Sequence, residues 1–313
     1  MANDPHSAAD LLVINNANAV DLGLSGVLDD APFLAALPAT TASYGSQHDW
    51  VERTQNPVVG LRDPNTGRDV DSSINTNRSI TLKVLDASFW ADVALAQAYK
   101  MGADAYLDRE LGIALRAAFS KAEKAVINGT GDTAGFLGLF DKAPYTDSTQ
   151  GVNAGGTTAS TASSVYLVRA IPDLSEVALI LGADGEIDVQ DPTVIAAPGG
   201  SDTSYPSFYV AVSGWLGLQH GGAYSVVRIM NLTEDSGKGL TDDLLSAAMA
   251  KFPASRPPTH IVMNRRSRRQ LRDSRTTYSP TGAPATLPME FDGVPIYVTD
   301  SILSTEAVAS TAP

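Results

Sequence analysis

The sequence predicts an α+β subunit, flat and elongated, with neighbours along its sides. Three stretches carry that expectation. Residues 88–128 (SFWADVALAQAYKMGADAYLDRELGIALRAAFSKAEKAVIN) hold no proline and consist mostly of good helix formers. Residues 44–85 alternate as strands do on either side of a polar tract, and residues 165–231 are β-rich without a helical period. An unbroken helix over 88–128 would run roughly 60 Å at 1.5 Å per residue. A compact domain of 313 residues has a radius of gyration of only about 20 Å, so either the subunit is elongated or the helix breaks.

Residues 1–43 read as an arm. Short helices are expected over 7–13 and 17–28, after which DDAPFLAALPATT is interrupted by Pro32 and Pro38. Leu11, Leu12, Val20, Leu22, Leu24, Leu28, Phe33, Leu34 and Leu37 have no core of their own here, so they must be buried against another domain or another chain.

Residues 44–86 read as an extended two-stranded β-arm. Its strands are expected over 47–54 and 78–85, and Asp63-Pro64-Asn65-Thr66-Gly67 in the tract between them is strong turn chemistry. An isolated ribbon is marginal in water, so this one should lie on something. The tip residues Arg62, Asp63, Asn65 and Arg68 are therefore candidate contacts with a neighbouring subunit.

Residues 87–140 contain the long helix. Leu107, Leu111, Leu115, Ala118, Ala122 and Ala125 form one stripe, with Arg109, Arg116 and Glu123 opposite, and Trp90, Val93, Ala94 and Met101 make a similar stripe earlier. Ser88 is the expected N-cap and Asn128-Gly129 the stop, while Gly102 and Gly112 are places for a bend or break.

Residues 141–235 read as an inserted β-rich region that opens with a Ser/Thr/Gly-rich loop. In residues 236–290 Thr241 caps a helix carrying Asp242 and Asp243 in its first turn, with Leu240 and Leu245 at staple spacing. A strand over 259–263 follows, and Asn264 then caps a short arginine-rich helix. Residues 291–313 supply a last strand over 294–299 and a weakly structured tail.

The formal net charge is −13, from 35 acidic and 22 basic residues, which favours solubility and disfavours broad binding to nucleic acid. With no cysteine there is no disulfide and no thiolate chemistry. No apolar run is long enough to span a bilayer, and the N-terminus lacks the pattern of a secretory signal. His6, His48, His220 and His260 show no metal-ligand spacing, and no nucleophile elbow or phosphate-binding glycine loop is present. Asp184-Gly185-Glu186-Ile187-Asp188 has only the outline of a calcium loop and reads as an acidic turn. No catalytic residue, cofactor or metal is expected.

One charge feature stands apart. Arg265, Arg266, Arg268, Arg269, Arg272 and Arg275 place six basic residues within eleven positions, and on a helix Arg265, Arg268, Arg269 and Arg272 share a face. Such a face can meet acidic groups within or between subunits, meet nucleic acid, or stay solvated.

The order of these parts resembles the major capsid proteins of tailed phages, with the Hong Kong 97-type capsid fold. A helical arm precedes an extended β-arm (the E-loop of that family) and then a long spine helix ending in NGTGDTAGFLGL. THIVMN at 259–264 and FDGVPIYVTDSIL at 291–303 resemble the strand, helix and returning strand of the family's axial domain. The resemblance implies a structural protein that is not an enzyme. It implies pentamers and hexamers that close into an icosahedral shell around double-stranded DNA, without sequence-specific binding and without a membrane. Separate scaffolding and portal proteins, assembly in the host cytoplasm and a place in the virion capsid are also implied. Some members crosslink a lysine to a neighbour's asparagine; Lys83 is the only lysine in the β-arm, its partner is not identifiable, and crosslinking is not carried over. The alternatives are the shell protein of an encapsulin-type bacterial compartment and an unrecognised cytosolic enzyme.

Overall fold

The computed structural model of the protein describes residues 30–55, 57–69, 71–131, 135–140, 150–171, 176–182, 187–198, 204–221, 225–277 and 283–309. The helices expected over 7–13 and 17–28 lie outside these residues, as do Asp184, Gly185 and Glu186.

The described part of the N-terminal arm is folded onto its own subunit. Pro32 occupies the first turn of α1 (Pro32–Ala36), where a missing N–H costs nothing. Phe33, Leu34 and Leu37 are fully buried, and β1 (Ala39–Thr41) runs parallel to β8 (Ala178–Leu181). These apolar residues thus find their core within the same chain.

The β-arm forms as expected over most of its length. Strand β2 (Gln47–Gln55) pairs antiparallel with β3 (Ile74–Thr81), from Gln47 opposite Thr81 to Gln55 opposite Ile74. The single strand expected over 78–85 is in fact two. Leu82 turns inward and is buried, its N–H donating to the Ser46 carbonyl at 2.8 Å, and β4 (Lys83–Asp86) departs to another sheet. Gly217 makes room for it, because a Cβ there would stand 2.4 Å from a Leu82 methyl carbon.

The unbroken helix over 88–128 does not form. Residues Phe89–Asp92 are strand β5, Val93–Ala98 are a short helix α2, and the chain breaks before α3 (Ala103–Asn128). Gly102 carries the break at φ +95°, a conformation that side chains disfavour. Asp92, not Ser88, is the N-cap, accepting from the Ala94 N–H at 2.8 Å. Because 89–92 is extended, the stripe expected from Trp90 to Met101 is not made, and both of those residues are exposed. The remaining 26-residue helix is about 39 Å long. It buries Leu107, Leu111, Leu115, Ala118 and Ala122 and leaves Arg109 and Arg116 exposed. Glu123, expected beside those arginines, is instead fully buried.

The β-rich region is shared among three sheets. A six-stranded sheet has the order β15 (Glu290–Phe291), β16 (Val294–Val298), β14 (His260–Met263), β7 (Ser163–Val168), β13 (Val226–Leu232), β6 (Gly151–Asn153). A second has the order β1, β8, β12 (Val212–Gln219), β4, with β9 (Ile187–Val189) also pairing β12. The third has the order β10 (Thr193–Pro198), β11 (Ser204–Val210), β5. Strands β7 and β13 are buried at every position, the signature of central strands covered on both faces. Along β7 the period of two assigns side chains to two cores. Val165 and Leu167 join the core beneath α4 (Asp242–Met249) and α5 (Arg265–Thr277), while Tyr166 and Val168 join the one beneath α1 and α3.

The local signals of the C-terminal third hold. The Thr241 hydroxyl accepts from the Leu244 N–H, and Leu240 and Leu245 are both buried. Asn264 caps α5 by accepting from the Ser267 N–H at 2.8 Å. Asp292 and Gly293, both at positive φ, make the tight turn between β15 and β16. The tail is a correction, because the residues described as far as 309 are docked. Glu306 donates its N–H to the Ala162 carbonyl at 2.9 Å, and the Asn231 side chain both accepts from the Ala309 N–H and donates to its carbonyl. Among the described residues no helix is long and apolar enough to cross a membrane.

Candidate assembly surfaces

The arm is fixed at its root and free at its tip. His48 Nε2 donates to Gln219 Oε1 at 2.8 Å, and Gln219 Nε2 donates to the Glu176 carbonyl, which ties the ribbon to the second sheet. Further out, Arg78 and Glu52 form an ion pair across the ribbon at 2.8 Å. The described tip residues 57–69 are all exposed, Val59 by 83% and Leu61 completely. The turn read from the sequence is present. Asn65 takes φ +64°, the Thr66 hydroxyl donates to the Asp63 carbonyl at 2.7 Å, and Arg62 donates to the Thr66 carbonyl at 3.1 Å. Arg68 donates to the Val58 carbonyl at 3.0 Å. The polar tip is thus held by its own hydrogen bonds and presents three apolar side chains, Val58, Val59 and Leu61, to solvent.

Helix α5 carries the arginines, and its Leu271 is buried while the charged side chains spread around it. Several find acidic partners in the same chain: Arg265 with Asp300 at 3.3 Å, Arg269 with Glu234 at 2.5 Å, and Arg275 in a two-pronged pair with Asp242 at 2.7–3.1 Å. Arg266 points elsewhere and donates to the carbonyls of Thr161, Leu232 and Ser304. Arg265, Arg268, Arg269 and Arg272 do share a face, lining a concavity of about 180 Å³ with Leu287. Arg268 reaches the Pro288 carbonyl, and the Arg272 guanidinium meets the adjacent Asp273 at 3.4 Å. These exposed pairs each contribute about 0–1 kcal/mol. Among the described residues no hydrogen bond or ion pair joins this face to the arm tip.

Among the buried polar centres that escaped the sequence reading, two stand out. Glu123, on α3, accepts from the Phe33 and Leu34 N–H groups at 2.9 and 3.0 Å through Oε2, and from the Thr299 and Ser301 hydroxyls through Oε1. One carboxylate therefore satisfies the first-turn donors of α1 and holds the chain after β16. In the other centre Arg228 meets Glu306 at 3.2 Å with both side chains almost wholly buried. Ser164 bridges them, and the guanidinium lies 4.3 Å from the Phe140 ring centre. Burial pushes the Glu306 carboxyl above its ordinary pKa, opposed by Arg228 and Ser164.

Among the described residues no group of three or more histidines and carboxylates is arranged to hold a metal. A family model described as major capsid protein GP7 matches residues 27–310. The chain belongs to that family. Two solved phage capsid structures agree on the fold of this capsid protein. A chain of bacteriophage epsilon15 is 17% identical with a TM-score of 0.65, over 88% of each chain. A chain of the bacteriophage JBD30 capsid is 12% identical with a TM-score of 0.52, over 92% of this chain and 97% of that one. A chain of the SrpI encapsulin of Synechococcus elongatus gives a TM-score of 0.45 at 11% identity, over 65% of this chain and 88% of that one. No curated protein matches the chain. The long helix, extended arm and α+β architecture expected of a phage capsid subunit are those of a major capsid protein.

Proposed function

We propose that this capsid protein assembles as pentamers and hexamers into an icosahedral shell that encloses double-stranded DNA in a virion, without catalysing a reaction. Separate scaffolding and portal proteins take part, and assembly proceeds in the host cytoplasm. The divisions at residues 43, 86, 140, 235 and 290 mark segments along the chain, several of which share one sheet. The observation that carries the reading is the β-arm, rooted on the body and exposed along its tip with three apolar side chains uncovered. Arg62, Asp63, Asn65 and Arg68 lie against a neighbouring copy, while Arg265, Arg268, Arg269 and Arg272 meet acidic groups of a neighbour in the ring.

Two variants test the two surfaces. Deletion of residues 62–77 removes the tip and the outer part of β3 and is expected to leave a folded subunit, because the described side chains among them lie outside both cores. Shells should fail to form or be fragile. Loss of the subunit's cooperative unfolding on deletion would show that the ribbon belongs to its own core. The double variant Arg268→Glu/Arg272→Glu is expected to reduce capsomer yield and shift its salt dependence, leaving the circular dichroism of the subunit unchanged. Normal shell yield with poor DNA retention, steepening with salt, would assign the face to DNA instead.

A further inference from the structure

The third sheet ends in an open edge. Strand β10 pairs with β11 along six residues, and among the described residues nothing pairs with its other side. Such an edge presents unpaired N–H and C=O groups, and soluble proteins ordinarily protect it with charges, an interior proline or a covering element. Here Thr193–Ala197 reads TVIAA, with no charge and no proline inside it. Across β5, β10 and β11 Asp92 is the only charged residue, on a chain whose charged fraction is 18%. The same strands carry Phe89, Trp90, Tyr205, Phe208 and Tyr209. Depletion of charge with enrichment of aromatic residues is the composition of an interface core. Both faces are partly open as well. Trp90 lies opposite Tyr209, which lies opposite Thr193, so Val194 points to the other face; Trp90 is 55% and Val194 62% exposed.

We propose that β10 pairs antiparallel with β10 of a second copy across a two-fold axis, joining two three-stranded sheets into one of six strands. A row of backbone donors and acceptors is complemented only by another extended strand. A second copy is the partner because the chain belongs to a capsid protein family and because an isologous contact needs one patch that complements itself. Copies of net charge −13 repel, and they meet with least repulsion along a segment that carries no charge. The inference rests on the reading of the chain as a shell subunit.

The test uses assembled shells and dissociated subunits of the full chain. Hydrogen exchange of the amides of 193–197 is expected to slow by about tenfold or more on assembly. The chain has no cysteine, so Thr193→Cys, Val194→Cys, Ile195→Cys and Ala196→Cys each introduce a lone thiol. Residues facing each other in an antiparallel pair have Cα atoms about 4.5–5.5 Å apart, within disulfide reach. At least one variant should therefore give covalent dimers on oxidation in shells and none as free subunits. Val194→Lys, at an exposed position, should leave the subunit folded and lower shell yield. Wild-type shells in which 193–197 exchange as fast as in free subunits would overturn the pairing while leaving the shell reading intact. Protection without a disulfide at any of the four positions would overturn the two-fold arrangement in favour of another strand on this edge. Failure of the wild type to form shells even with its scaffolding protein present would count against the shell reading itself and remove the pairing with it.

Discussion

Replacing Glu123 by alanine is expected to lower the stability of the dissociated subunit by about 3 kcal/mol, since hydrogen bonds to a charged group contribute roughly 1.5–3 kcal/mol each. The carboxylate accepts from two N–H groups of α1 and from two hydroxyls beyond β16, all at the closed end of α3. Alanine would leave the two amides without an acceptor in a site that excludes water, while the hydroxyls can turn to other partners. Glutamine tests the charge apart from the hydrogen bonds. Its carbonyl oxygen can accept from the two amides of α1 while its NH₂ donates to the Thr299 and Ser301 hydroxyl oxygens, which accept once they turn. Glu123→Gln should therefore recover most of the loss, and hydrogen exchange through the amides of 33–37 and of 299–302 should report the side on which the remainder falls. Urea unfolding at a single protein concentration measures the difference. A loss below about 1 kcal/mol for alanine would mean that the carboxylate's own desolvation cancels its bonds.

The fold was legible where local chemistry and periodicity agree. Thr241 and Asn264 each declare themselves in the sequence and each form as read. The long segment was legible only in its second half. Before Gly102 the residues FWAD are as compatible with a strand as with a helix, and pairing with β11 decides for the strand. Tertiary context overrode propensity there. The order of strands in the sheets was not legible, because β7, β13 and β14 are short apolar runs whose partners lie 35 or more residues away in sequence. The arm tip is exposed, as are Arg265 and Arg269 on α5, while Arg268 and Arg272 are half-buried. Glu123 left a faint trace. Phe119, Glu123 and Ile127 recur at spacing four and are all buried, so the acid sits in an apolar row and not in the polar one assigned to it. Glu306 left none, because a lone acid in a tail shows nothing of the arginine and serine that enclose it.

Truncating Glu306 is expected to destabilise the subunit more than truncating Arg228, even though they are partners in one ion pair. Glu306→Leu leaves a buried guanidinium that cannot shed its proton, at a cost of about 3–5 kcal/mol. Arg228→Met leaves a carboxyl that can become neutral by taking a proton, and burial already pushes its pKa upward, so the loss should be nearer 2 kcal/mol. The double variant Arg228→Met/Glu306→Leu should be more stable than Glu306→Leu alone, because the buried, unpaired Arg228 guanidinium is then gone. The pH dependence follows with a definite sign. A carboxyl whose folded pKa lies above its unfolded value binds more protons in the folded state. Its contribution is complete below the unfolded pKa and is lost as pH rises through the folded one. Arg228 opposes the upward shift, so its removal raises the folded pKa further. Stability of Arg228→Met should therefore fall with rising pH over a wider window than in the wild type, and in the double variant that fall should disappear. Urea midpoints measured from pH 4.5 upward separate the three cases. Strictly additive losses, or a slope unchanged by either substitution, would show that Glu306 is solvated in the folded subunit and that the C-terminal tail is not held by this pair.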